Sequence, residues 1–469
     1  MKIEQIYTGC LAHGAYYIES EGEAAIIDPL RETAPYLEKA EKEGSSIKYI
    51  FETHFHADFV SGHVDLAEKT GAKIIYGPGA KTKYSIHEAA DEEDFALGKV
   101  TIRVLHTPGH TPESSTFLLI DEEGREHAIF SGDTLFIGDV GRPDLAVKSD
   151  LTREDLAGML YDSLRSKIMP LPNEVIVYPA HGAGSACGKN MSSETWDTLG
   201  NQKETNYALR ANMTKEEFVK EVTDGILPPP QYFAKNARIN KEGYDSIDAV
   251  LKKGTVALDV DTFESMANHE GALVLDTRNE ADFVKAFIPK SIFIGLDGSF
   301  ASWVGTLITD IQQPIVLVAE EGRAQEAVTR LARVGYDNVL GYLEGGMAAW
   351  QSAGKGIDSI DQVSAQTLAS QVAAGESIQI VDVRKQPEHQ SEHVEHAINV
   401  PLDYINDNMG ELDRDSTYYL HCAGGYRSVI MASILKARGF EHLVDIAGGF
   451  KALAETNIPK TEYVCPSTL

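Results

Sequence analysis

Thr53-His54-Phe55-His56-Ala57-Asp58-Phe59-Val60-Ser61-Gly62-His63 decides how the first half of this 469-residue chain folds. It follows Ile47-Lys48-Tyr49-Ile50-Phe51, whose β-branched and aromatic residues predict a buried strand. His54, His56 and Asp58 therefore leave a strand end at alternating positions, ahead of a helical pattern over Val64 to Thr70. Three side chains able to ligate a metal, on a loop held by a rigid sheet, are where chemistry is expected.

The pattern recurs. His110 lies in a Pro-Gly turn, Thr107-Pro108-Gly109-His110-Thr111, after the apolar run Val100 to Leu105. Asp133 lies in Ser131-Gly132-Asp133-Thr134 after Ala128-Ile129-Phe130, and His181 in Pro179-Ala180-His181-Gly182 after Val175 to Tyr178. Each is a ligand-type residue on a Gly- or Pro-containing turn at a strand exit. Four such loops in this order resemble the metallo-β-lactamase superfamily, over about the first 240 residues. The usual signature of that family is His-x-His-x-Asp-His, which supports two metals; here its last position is Phe59. Loss of that imidazole favours one metal, on His54, His110 and Asp133, and two imidazoles with one carboxylate form the triad of non-haem Fe(II) oxygenases.

Thr53 to His63, Thr107 to Thr111 and Ser131 to Leu135 are similar to the persulfide dioxygenase branch of the family. The resemblance implies one Fe(2+) per chain on those three residues. His56, Asp58 and His181 are then partners that orient ligands or substrate, or remnants of a second metal site. Arg142 and Tyr178 are expected in the substrate pocket, and Cys187 either beside the persulfide or as a small filler. The same scaffold also serves zinc thioester hydrolases of the glyoxalase II type, the alternative reading.

The formal net charge of −29 excludes nucleic acid and anionic membrane as expected partners. Met1-Lys2-Ile3-Glu4-Gln5 enters a strand directly, without the basic and apolar regions of a signal peptide, and no apolar run approaches a membrane span. A cytoplasmic protein is expected. Its four cysteines, Cys10, Cys187, Cys422 and Cys465, lack the paired spacing of a structural metal site, and are expected to be thiols. Along the chain, Ala34 to Glu43 reads as an amphipathic helix. Thr214 with Glu217 reads as a capping box opening another, ended by Pro228-Pro229-Pro230, and Asn240 to Gly254 reads as a linker.

The second half is a duplication. Leu273-Val-Leu-Asp-Thr-Arg278 answers Gln379-Ile-Val-Asp-Val-Arg384, Ile315 to Ala319 answers Tyr418 to His421, and Gly345-Gly346 answers Gly448-Gly449. Short apolar strands alternating with helices predict parallel α/β sheets. Both copies resemble the rhodanese domain. The second contains Cys422-Ala423-Gly424-Gly425-Tyr426-Arg427 between a strand and a helix start. Backbone N–H groups of Ala423, Gly424, Gly425 and Tyr426 would cradle an anionic sulfur on Cys422, and Arg427 would add a positive charge. The first copy has Glu320-Glu321-Gly322-Arg323 there, reads as having a shorter loop, and contains no cysteine. The expected architecture is α/β throughout. It comprises a metallo-β-lactamase αββα sandwich over 1–240, a degenerate rhodanese-like domain over 255–355 and a rhodanese domain with an active cysteine over 360–465. The resemblance implies oxidation of a small thiol persulfide (glutathione or coenzyme A type) by O2 to sulfite, with thiosulfate formed or used by Cys422, in sulfide detoxification. A homo-oligomer is expected, and the sequence leaves open whether the cysteine-free copy is a spacer or an interface.

Overall fold

The computed structural model describes residues 1–147, 150–189, 191–269 and 271–465. Six strands pair in chain order, from Lys2–Thr8 through His13–Ser20, Glu23–Ile27, Ser46–Glu52 and Lys73–Tyr76 to His87–Glu88. A second six-stranded sheet runs Asp197–Thr198, Ile176–Pro179, Glu126–Gly132, Ser115–Ile120, Val100–His106, Asp94–Leu97. Side-chain alternation decides what each face buries. Tyr16 and Ile18 point between the sheets and meet Phe51, Phe117 and Phe130. Ala15 and Tyr17 point the other way, against Tyr36 and Ala40 of helix Ala34–Glu43 and Leu66 of helix His63–Thr70. On the far side Leu118, Ile129 and Val177 pack on Leu160 of helix Arg153–Ser163 and Phe218 of helix Lys215–Thr223. This is a helix–sheet–sheet–helix sandwich. Ala24-Ala25-Ile26-Ile27 is apolar at every position because both faces of its sheet are covered.

The C-terminal half holds two five-stranded sheets, all parallel and in the same order. One runs Ala257–Leu258, Val339–Leu343, Ile315–Val318, Leu273–Asp276, Ile292–Phe293; the other runs Asp361–Ser364, Leu443–Ala447, Tyr418–His421, Gln379–Asp382, Ile398–Asn399. The repeat seen in the sequence is thus a repeat of topology. The chain divides into two compact units, Met1–Ala249 with Leu331–Gly335 and Val250–Arg330 with Tyr336–Leu469. No helix among the described residues is long and apolar enough to cross a membrane.

The segment read as a linker contains the boundary between the two units, Ala249/Val250, and it is helical over the end of Phe233–Glu242 and over Ile247–Gly254. Two expectations need correction. The helix opened by Thr214 has its capping box but stops at Thr223, with extended Asp224 and left-handed Gly225 ending it before the prolines. The first rhodanese copy has no shortened loop. Val318 precedes Gly345 by the same interval as His421 precedes Gly448, and Ala319 stands where Cys422 stands.

Candidate metal centre and sulfur-carrier loop

The strand Ser46–Glu52 delivers Thr53 to Asp28, which leaves the neighbouring strand Glu23–Ile27. Thr53 donates to Asp28 through its N–H (2.7 Å) and its hydroxyl (2.8 Å). That hydroxyl is then free only to accept, so His54 Nδ1–H donates to it at 2.9 Å and His54 Nε2 keeps its lone pair. Likewise His110 Nδ1–H donates to the Arg142 carbonyl at 2.9 Å, leaving Nε2 open. Both free Nε2 atoms face one carboxylate, with Asp133 Oδ2 at 3.3 Å from His110 and 3.8 Å from His54. Gly132 (φ +53°) makes the turn into Asp133 with Thr53 pressed against it, where a Cβ would lie 2.6 Å from the threonine side chain.

His54, His110 and Asp133 converge as one group, all buried. His56, Asp58 and His181 form a second, and Asp133, His181 and Cys187 a third. His181 Nε2 lies 3.4 Å from Asp58 Oδ2 and 3.6 Å from Asp133 Oδ1. Burial pushes His110 and His181 down to about 4 and His54 and His56 well below the usual imidazole range. The rings are therefore neutral, the form in which histidine ligates. Burial also pushes Asp133 well up and Asp58 up to about 6. Among the described residues no N–H or O–H group hydrogen-bonds to either Asp133 oxygen, although both are buried; the Cys187 thiol reaches the carboxylate. A buried carboxylate met by neutral imidazoles and a thiol fits a divalent cation, whose charge reverses the effect of burial on the acid.

The remaining expected residues divide. Cys187 is buried against this group, and burial followed by the charges of Asp133 and Asp58 raises its thiol well above the ordinary value. Arg142 is not an open pocket cation: its guanidinium grips Asp144 (2.7 and 2.8 Å) and the carbonyls of Ala186 and Leu227. It acts through its main chain, with the carbonyl on His110 and the N–H on the Cys187 carbonyl at 3.0 Å. Tyr178 points into the inter-sheet core, stacked on Phe130 (5.5 Å between centroids) and beside Tyr16. Phe59 is fully buried, 4.3 Å from the rings of both His13 and His56.

Sequence reasoning passed over Asp28, Glu52, His13 and Asn240. Asp28, at a strand exit like the expected ligands, carried the same signal. His56 Nε2 lies 3.1 Å from Asp28 and 3.8 Å from Glu52, both buried. Asn240 donates to the carbonyls of His56 and Phe59 (2.8 Å each) and accepts from Ser61 N–H (2.9 Å), locking the ligand loop from a distant helix. Nothing local in the sequence marks it.

In the second rhodanese copy, Cys422 follows strand Tyr418–His421 and precedes helix Tyr426–Ala437. Gly425 N–H donates to Cys422 Sγ at 3.1 Å, from a backbone with φ +116° that suits glycine. Ser428 Oγ lies 3.8 Å from the same sulfur. The turn at Gly448-Gly449 presses on the loop: a Cβ on Gly449 would lie 2.5 Å from the Cys422 carbonyl. At Gly346 in the first copy the nearest atom to such a Cβ, the Ala319 carbonyl, is 3.7 Å away. Arg427, expected beside the sulfur, turns its guanidinium to Glu388 (2.7 and 2.8 Å).

Residues 8–181 match the metallo-beta-lactamase superfamily, and residues 259–353 and 364–456 each match the rhodanese-like domain. A probable hydroxyacylglutathione hydrolase of Schizosaccharomyces pombe is 33% identical over 38% of this chain and 66% of its own length. The human mitochondrial persulfide dioxygenase ETHE1 is 31% identical over 45% of this chain and 74% of its own. The crystal structure of a metallo-beta-lactamase from Staphylococcus aureus is 32% identical with a TM-score of 0.64, covering 73% of this chain and 98% of that one. With the sandwich, the convergent histidines and the duplicated parallel sheets, these likenesses show that the chain belongs to the metallo-β-lactamase superfamily and carries two rhodanese-like domains later in its sequence.

Proposed function

We propose that the N-terminal domain is a mononuclear iron dioxygenase that oxidises small thiol persulfides to sulfite, and that the C-terminal copy is a sulfurtransferase that makes thiosulfate from that sulfite. The observation that carries this reading is Phe59, a hydrocarbon ring where a second metal needs a ligand. What remains complete is His54, His110 and Asp133, the donor set suited to Fe(II). A ferrous ion held there supplies the activation of O2 that side chains cannot provide. Thr53 and the Arg142 carbonyl fix the histidine tautomers, while Asn240 holds the loop that bears them. The balanced reaction takes persulfide, O2 and water to free thiol, sulfite and two protons. In the other domain the Cys422 thiolate attacks the outer sulfur of a second persulfide, forming its own S–S bond and releasing thiol. Sulfite then takes that sulfur as thiosulfate, and the returning thiolate is met by Gly425 N–H.

The likeness to a human persulfide dioxygenase supports this reading, and the likeness to a hydroxyacylglutathione hydrolase supports a zinc thioester hydrolase instead. The group His56, Asp58 and His181 beside Asp133 favours the second, because a dinuclear site could use it. Anaerobic purification with metal quantification and oxygen uptake separates them. One iron per chain with persulfide-dependent O2 loss is expected; zinc with thioesterase turnover and no O2 loss would overturn the dioxygenase. Cys422→Ser is expected to retain oxygen uptake while the product changes from thiosulfate to sulfite. Loss of oxygen uptake in that variant would refute the division of labour.

A further inference from the structure

The cysteine-free copy reaches the nucleophile loop of the other copy. Gly425 holds its N–H on Cys422 Sγ from φ +116°, which glycine adopts freely, so the shape of the turn is set by what fixes its two arms. One arm is fixed by its own domain, through Phe450 N–H on the Cys422 carbonyl (2.7 Å) and Lys451 N–H on the Ala423 carbonyl (3.0 Å). The other arm begins at Tyr426, the first residue of the helix, and is fixed from the cysteine-free copy. Tyr426 donates its hydroxyl to the Gly295 carbonyl at 2.8 Å. Its ring lies flat on Gly298, where a Cβ would come within 2.3 Å of Cζ, and meets the Phe293 ring edge-on at 5.9 Å. Two turns along the same helix the buried Ser433 hydroxyl accepts Phe293 N–H at 2.9 Å.

We propose that Tyr426 is a positioning residue, and that Gly295 to Gly298 of the cysteine-free copy form the seat which keeps the Cys422 loop in its anion-cradling shape. The cysteine-free copy is then part of the sulfurtransferase site and not a spacer. Glycine at 298 is required because any side chain would displace the ring and, through it, Gly425. The consequence for sulfur transfer rests on the reading of Cys422 as sulfur carrier; the geometry of the loop does not.

The test is alkylation of Cys422 by iodoacetamide in the full chain, followed by mass spectrometry of the peptide that contains it, across pH 5 to 10. Tyr426→Phe keeps the ring and removes the hydroxyl; Gly298→Ala alters the seat without touching the second copy. Both are expected to slow alkylation at pH 7 about fivefold or more, as loss of one hydrogen bond implies, and to move half-maximal reactivity to higher pH. Tyr426→Phe is expected to lower the melting temperature by no more than about 4 °C and to leave the N-terminal activity unchanged. A wild-type rate and pH midpoint in Tyr426→Phe would overturn the proposal, whether or not Gly298→Ala folds. If both variants react slowly while the parent protein transfers no sulfur, positioning stands and the transferase reading falls.

Discussion

At position 59 a phenyl ring stands between the imidazoles of His13 and His56. Replacing it with histidine puts a nitrogen donor beside His56, which groups with Asp58 and His181. Phe59→His is expected to raise bound metal from one toward two per chain when zinc is supplied, and to lower persulfide-dependent oxygen uptake. It should also cost about 1–3 kcal/mol for a polar ring in an apolar slot. Metal content by elemental analysis checks this, and an unchanged single iron with full oxygen uptake would show that the missing imidazole does not set the stoichiometry. Asp382 gives a second test at this scale. Burial pushes its carboxyl up, but hydrogen bonds from His389 and Arg384 outweigh it and hold the group well below the usual carboxylate range. A depressed acid stabilises the fold above its unfolded value of about 4, and that contribution fades only as pH falls further. Asp382→Asn should cost about 3 kcal/mol at pH 7, since Arg384 loses a buried partner. Urea midpoints should show the gap between wild type and variant holding steady from pH 7 to about 5 and narrowing below 4. A gap that already closes above pH 5 would show that ionisation of this carboxylate does not carry the effect.

Elements carry what single residues cannot. Helix Phe233–Glu242 lies far along the chain from the ligand loop, yet Asn240 satisfies two of that loop's carbonyls and one of its N–H groups. Asn240→Ala is expected to weaken metal affinity about 10–100-fold, as loss of an outer partner does, measured by chelator competition. Unchanged affinity would mean the loop holds its shape alone. The four ligand loops were legible in the sequence because each puts a histidine or aspartate on a Gly or Pro turn after an apolar run, all local signals. Asn240 was not, since its partners are defined only through space. Arg142 was found by motif but its direction was not: Asp144, two residues on, captures the guanidinium. The internal duplication was plain from matched strands and glycine pairs. Contacts that join the copies, among them Tyr426 on Gly295, Ser433 on Phe293 and Asn406 on Leu307, have no sequence signature at all.

At the scale of the whole molecule, the two rhodanese sheets share one topology, and only one retains a thiol. Ala319 occupies the equivalent position with strand, turn and helix intact around it. It is followed by Glu320 and Glu321, where the cysteine-bearing copy has Ala423 and Gly424. Ala319→Cys would therefore restore the sulfur without its electrostatic setting. Peptide-resolved alkylation at pH 7 is expected to find the new thiol at least about tenfold slower than Cys422, because adjacent anions oppose a thiolate. Equal rates would show that the loop backbone alone governs reactivity. If the two carboxylates after Ala319 keep a cysteine placed there idle, a one-codon change would yield no second transferase, and on the proposed reading the cysteine-free copy would be held to its sequence chiefly at the surface on which Tyr426 leans.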